Sequence, residues 1–127
     1  MRITHVALWT RDMQSAAEFW EEYFGATTGP LYSSARRPGF TSRFVSLPDE
    51  GGQIELMSGP WLPEDGYSER QGWDHIAIAL KDNDAVDSLA KRCKEDGILK
   101  LGPRTTGDGF YEAVIAMPDG TPVEITC

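Results

Sequence analysis

A chain of 127 residues with 40% hydrophobic and 10% aromatic content has material for one folded core and is too short for two large independent domains. Its formal net charge of −8 opposes non-specific attraction to nucleic acid or an anionic membrane, so an anionic ligand needs a local basic patch. No apolar run nears bilayer-spanning length, and the start, Met1-Arg2-Ile3-Thr4-His5, has no signal-peptide core. A cytoplasmic protein is expected, without nucleic-acid or membrane partners.

Ile3-Thr4-His5-Val6-Ala7-Leu8-Trp9 alternates as a half-buried strand. Met13, Ala16, Ala17, Trp20, Tyr23 and Phe24 then recur at helical spacing, which predicts an amphipathic helix capped by Asp12 and ended at Gly25. Between Ala26 and Ser42 a short strand is expected over Leu31 to Ser34, followed by the turn Arg36-Arg37-Pro38-Gly39. Strands over Arg43 to Leu47 and Gln53 to Met57 flank the turn Pro48-Asp49-Glu50-Gly51-Gly52 and make a hairpin. The segment 58–72 reads as a loop whose Trp61, Leu62 and Tyr67 could cover a pocket or meet a partner subunit, packing onto the protein's own surface being the commoner fate of such residues.

The second half repeats the first. His75 to Leu80 predicts a strand, and Val86, Leu89, Ala90 and Cys93 a helical stripe capped at Asp82 or Asn83 and ended at Gly97. Ile98 to Leu101 predicts a strand, Gly102-Pro103-Arg104 to Gly109 a loop, and Phe110 to Met117 a strand that turns at Pro118-Asp119-Gly120 into Pro122 to Thr126. Of the two cysteines, Cys93 fits a small core residue rather than a nucleophile, and no disulfide framework is expected. The fold class is therefore α+β: two tandem βαβββ modules, 1–57 and 73–127, joined by the loop 58–72 into a single domain.

Each module carries one of the only two histidines, and each histidine has a glutamate at a matching place. The interval from His5 to Glu55 is 50 positions and that from His75 to Glu124 is 49. Strand alternation puts His5 and Ala7 on one face and Val6 and Leu8 on the other; it likewise separates His75, Ala77 and Ala79 from Ile76 and Ile78. Taken singly, a strand histidine is more often a hydrogen-bonded side chain and a strand glutamate a solvated one. Both histidines and both glutamates at equivalent points of a repeat point instead to a divalent-metal site of nitrogen and oxygen donors.

This pattern resembles the vicinal oxygen chelate superfamily, which includes glyoxalase I, methylmalonyl-CoA epimerase, extradiol dioxygenases and the fosfomycin and bleomycin resistance proteins. The closing Met117-Pro118-Asp119-Gly120-Thr121-Pro122-Val123-Glu124-Ile125 is similar to the family's C-terminal signature. The resemblance implies a curved mixed sheet around a cleft and one divalent ion held by His5, Glu55, His75 and Glu124. Zinc or nickel is the foremost expectation, and cobalt, manganese or iron also suits the donors. Glu55 at the second position points toward glyoxalase I rather than the dioxygenases and fosfomycin enzymes. The implied reaction is isomerisation of the hemithioacetal of glutathione and methylglyoxal, a proton moving between adjacent carbons through an enediolate stabilised by the metal.

Glu124 is then the expected base, with Glu55 as ligand or second carboxylate. A small-molecule substrate, in the form of a thiol conjugate, is the implied partner, with a homodimer the expected assembly. Among Arg11, Arg36, Arg37, Arg43 and Arg104, Arg104 is the foremost substrate contact, and Trp9 a wall of the pocket if it is not a core indole. An epimerase or other isomerase of the same superfamily, or a resistance-type binding protein without catalysis, is the alternative reading.

Overall fold

Val6 and Leu8 alternate with His5, Ala7 and Trp9 along β1 (His5–Trp9), so one side of the strand seeks cover and the other does not. Val6 and Leu8 end half-buried, while α1 (Met13–Phe24) lays its buried face of Ala16, Ala17, Phe19 and Trp20 against the rest of the sheet. Asp12 starts this helix by accepting from the Ser15 backbone N–H at 3.0 Å and from the Ser15 hydroxyl at 2.6 Å, which holds its carboxyl below the usual range. Gly25 stops it in the left-handed region at φ 64°, where a side chain would be strained.

In the computed structural model all residues from 1 to 127 are described, and they divide into two units, Met1–Asp65 and Gly66–Cys127. The first continues with β2 (Thr27–Thr28), β3 (Tyr32–Ser33), β4 (Thr41–Ser46) and β5 (Gln53–Ser58). Its sheet runs β1-β5-β4-β2, with β3 also paired to β4; β1 lies parallel to β5 and the other pairings are antiparallel. The parallel pair needs a crossover, and α1 lies within it. Val45, Ile54 and Leu56 face the helix side and are fully or almost fully buried, as is Trp20.

The second unit repeats the plan with β6 (Ile76–Ala79), α2 (Asn83–Glu95), β7 (Leu99–Thr105), β8 (Tyr111–Ala116) and β9 (Pro122–Thr126). The order is β6-β9-β8-β7, with β6 parallel to β9. Asp82 is the N-cap of α2, accepting from the Ala85 backbone at 2.9 Å. Val86, Ala90 and Cys93 are completely buried, together with Ile115 and Ile125. Burial pushes the Cys93 thiol up to about 11, as befits a core residue. The chain thus has the α+β architecture of two mixed sheets and two helices, and no helix is long and apolar enough to cross a membrane.

The structure departs from the sequence expectations in three places. Strand β6 starts after His75, leaving the imidazole just outside the ladder. The pair β2 is additional, and β3 is shorter than the expected strand. Strand β7 continues through Gly102-Pro103-Arg104, where a loop was expected. Its register against β8 shifts between Leu99 and Leu101 and again between Leu101 and Arg104. An edge strand tolerates proline and bulges because one side of its backbone has no ladder partner, which is why turn-forming residues misread as a loop.

Leu56 has no exposed surface, whereas Leu101 on β7 is 44% exposed. Leu56→Ala is expected to cost about 3 kcal/mol in urea unfolding, within the usual range for a buried leucine, and Leu101→Ala less than about 1. Equal costs would contradict the placement of the first unit's core.

Candidate functional site

The register of the parallel pair builds the first half of the site. Ala7 stands opposite Glu55, and His5 opposite Gln53, so His5 is diagonal to Glu55 on the same face. With only a methyl at Ala7, the two reach each other: His5 Nε2 lies 3.8 Å from Glu55 Oε2. Phe44, opposite Glu55 on β4, meets the His5 ring edge-on with centroids 5.3 Å apart. Thr4 Oγ1 is 3.4 Å from His5 Nδ1, a loose contact that orients the ring weakly.

The second unit reproduces this geometry. Ala77 stands opposite Glu124, and His75 Nε2 lies 3.5 Å from Glu124 Oε2. Here the imidazole is held more firmly, because its Nδ1 is 2.8 Å from Asp74 Oδ2 and the Tyr67 hydroxyl donates to the other oxygen of Asp74. These hydrogen bonds, Tyr67 first and His75 next, hold the Asp74 carboxyl below its usual range. With Nδ1 as the donor to Asp74, Nε2 keeps its lone pair and directs it toward Glu124.

Diagonal to Glu124 on the same face, on the neighbouring strand β8, lies Glu112, only 8% exposed. Arg104 Nη2 approaches Glu112 Oε1 at 3.3 Å from the facing position on β7. Burial first, then the charge and hydrogen bond of Glu112, push the Glu124 carboxyl above its ordinary value. Glu124 is therefore a stronger base than a solvated glutamate.

The donor sets suit a divalent cation. Two ligands bound at about 2.0–2.2 Å to one ion stand about 3.0–3.5 Å apart at tetrahedral or right angles, close to the spacing of each His–Glu pair. Each unit supplies one imidazole nitrogen and one carboxylate oxygen on a shared face, and in neither does a third His, Cys, Asp or Glu join the pair at metal-holding distance.

The four expected ligands thus fall into two pairs, His5 with Glu55 and His75 with Glu124. Trp9 is 38% exposed on the His5 face rather than a core indole. Arg104 sits on a strand and is engaged with Glu112. Sequence reasoning gave Asp74 and Glu112 no role and read Tyr67 only as a loop aromatic. Asp74 was open to notice as a carboxylate directly before a histidine; Glu112 carried only the weak signal of a charge within an apolar alternation, Tyr111-Glu112-Ala113-Val114-Ile115.

The chain belongs to the Glyoxalase/Bleomycin resistance protein/Dioxygenase superfamily, whose family model matches residues 2–125. A protein of Pseudomonas aeruginosa whose own role is uncharacterized is 31% identical over 109 residues, covering 80% of this chain and 70% of that one. Among solved structures, the trypanothione-dependent glyoxalase I of Leishmania major superposes with a TM-score of 0.76 at 20% identity, over 99% of this chain and 86% of that one. The fosfomycin resistance protein FosX of Listeria monocytogenes, complexed with Mn(II) and sulfate, gives 0.71 at 20% identity over 99% and 91%. At these identities the superpositions show the shared fold.

Glu112→Gln removes one charge beside Glu124 and is expected to lower the Glu124 titration midpoint, read by carboxyl carbon NMR on metal-free protein. The sign follows from linkage: a carboxyl whose folded value is raised favours the fold at pH below its unfolded value, and that contribution disappears as pH rises through the folded value. The stability gained on acidification should accordingly shrink in Glu112→Gln. An unchanged midpoint would remove Glu112 as a cause.

Proposed function

We propose that the chain is a divalent-metal-dependent lyase of glyoxalase I type that isomerises an α-oxo hemithioacetal, with that of glutathione and methylglyoxal as the first candidate. His5, Glu55, His75 and Glu124 are the proposed ligands, brought to one ion within a chain or across a homodimer. The observation that carries this reading is the duplicated His–Glu pair, each with donor atoms at a spacing suited to a shared cation. Family membership and a Mn(II)-bound relative of the same fold support it. Zinc or nickel is the first expectation for the ion, and the cytoplasm for the location.

When bound, the cation supplies Lewis acidity, drawing developing negative charge onto the substrate oxygens. The chain's own residues do the rest. Glu124, whose affinity for a proton is raised by burial and by Glu112, takes the proton from the carbon that bears sulfur and hydroxyl. The proton then rests on its carboxyl oxygen and returns to the neighbouring carbon, formerly the carbonyl, while the hydroxyl proton of the first carbon passes to the oxygen of the second. The product is a 2-hydroxy thioester of unchanged atomic formula. Asp74 holds the Nδ1 side of the His75 ring, leaving Nε2 as the nitrogen turned toward the proposed ion. Arg104 restrains Glu112, and through it the carboxyl that moves the proton.

Metal analysis of the purified protein, followed by a hemithioacetal isomerisation assay with each metal restored, tests the proposal. Absence of stoichiometric divalent metal, with none regained on addition, would refute it. In an active protein, Glu124→Gln that still holds its metal should lose about 10²- to 10⁴-fold in kcat, and retained turnover would reject Glu124 as the base. Asp74→Ala should weaken metal affinity about 10- to 100-fold by releasing the His75 tautomer, measured by competition with a chelating dye.

A further inference from the structure

Four residues along β1 from His5, on the same face, Trp9 begins an aromatic cluster that the metal reading does not use. Its indole meets Phe40 edge-on at 6.0 Å and Trp61 edge-on at 6.2 Å. Against these three rings lies the guanidinium of an exposed arginine. Arg37 Cζ lies 4.1 Å from the Trp61 ring centroid, 5.5 Å from that of Trp9 and 5.7 Å from that of Phe40. The backbone is shaped to allow it. Arg37 stands in the turn between β3 and β4, which is closed by Phe40 N–H donating to the Arg37 carbonyl at 3.0 Å. A Cβ at Gly39 would come within 2.8 Å of Pro60, and one at Gly59 within 2.3 Å of the Trp61 indole, so bare glycines let the turn and the indole close up.

Two of the other arginines considered for substrate are held by carboxylates. Arg104 is paired with Glu112, and Arg11 with Glu64 at 3.4 Å. Arg37 has no carboxylate partner and no acceptor for its guanidinium N–H groups; only the ring faces hold it. An aromatic face attracts the charge without consuming the in-plane donors, so the planar fork is kept in place and open to a carboxylate. Beside the cluster lies a cavity of about 260 Å³ lined by Arg11, Gly39, Ser58, Gly59, Pro60 and Leu62; its Arg11 is partnered by Glu64, which leaves Arg37 as the unpaired charge of this patch. In a chain of net charge −8, an unpaired, clamped cation is the local basic patch an anionic ligand requires.

Resting on the metal-site reading above, we infer that Arg37 is the specificity-determining residue for an organic carboxylate on the substrate. Trp9 is four strand residues from His5, about 13 Å, so the carboxylate lies roughly that far from the reacting atoms. The substrate class is an oxygen-chelating α-oxo compound extended by an apolar stem to a carboxylate, the stem running along Trp9.

The test uses the full chain stripped of metal, with no turnover involved, so its outcome is independent of the metal and activity measurements. Tryptophan fluorescence is followed during titration with hexanoate and, separately, with methyl hexanoate, at fixed salt. Hexanoate is expected to bind at least tenfold more tightly than the ester. Arg37→Gln should abolish that difference in a chain that still unfolds cooperatively, at a midpoint only slightly lowered by the lost ring contacts, and Arg37→Lys should recover only part of it, because an ammonium lacks the planar fork. Trp61→Ala keeps the charge but removes its closest ring, and should weaken hexanoate binding several-fold. Equal binding of acid and ester by the wild type, or undiminished acid preference in Arg37→Gln, would overturn the inference. So would new binding of tetramethylammonium by Arg37→Gln, which would make the cluster a cage for cationic ligands that Arg37 merely fills.

Discussion

Everything in the candidate site depends on the parallel pairing of the first strand of each unit with its last. Ala7 against Glu55, and Ala77 against Glu124, place the glutamate diagonal to a histidine on one face while Ile54, Leu56, Val123 and Ile125 stay under the helices. A one-residue slip would turn the glutamates toward the helices and the aliphatic residues toward solvent. Core burial and site assembly are thus one constraint: the apolar residues that stabilise each sheet also select the register that brings nitrogen and oxygen donors together.

The two units share this frame and differ in what surrounds it. Around His75, a chain of polar groups runs from Tyr67 through Asp74 to the imidazole, and from Arg104 through Glu112 to Glu124. Such a chain orients a donor and raises the proton affinity of a carboxylate. Around His5, the neighbours are Phe44 on the ring and, farther along the face, Trp9, Phe40 and Trp61 holding Arg37. These are ring faces and a guanidinium, with no hydrogen-bonded relay of carboxylates among them. Duplication supplied two equivalent frames, and the side chains packed against each have given them different chemistry.

The helices, the parallel-paired strands and the pairing of each histidine with its own glutamate were legible in the sequence. Their signals are local or periodic: alternation at His5-Val6-Ala7-Leu8, a 3.6-residue stripe ending at Gly25, and an interval between histidine and glutamate kept almost unchanged through a repeat. Amino-acid order alone determined which face of each strand carried polar donors, because the backbone forces neighbouring side chains to opposite sides.

What only the tertiary structure decided were contacts between residues far apart in the chain and exceptions to local propensity. Gly102-Pro103 reads as a turn, yet an edge strand with a bulged register absorbs it, and Arg104 consequently faces Glu112 rather than leading a free loop. The burial of Glu112 and the gathering of Trp9, Arg37, Phe40 and Trp61 from three separate segments carry no periodic mark. Periodicity reports which face a side chain takes, whereas the neighbours it meets there are set by strand order, register and the turns that fold back over the sheet.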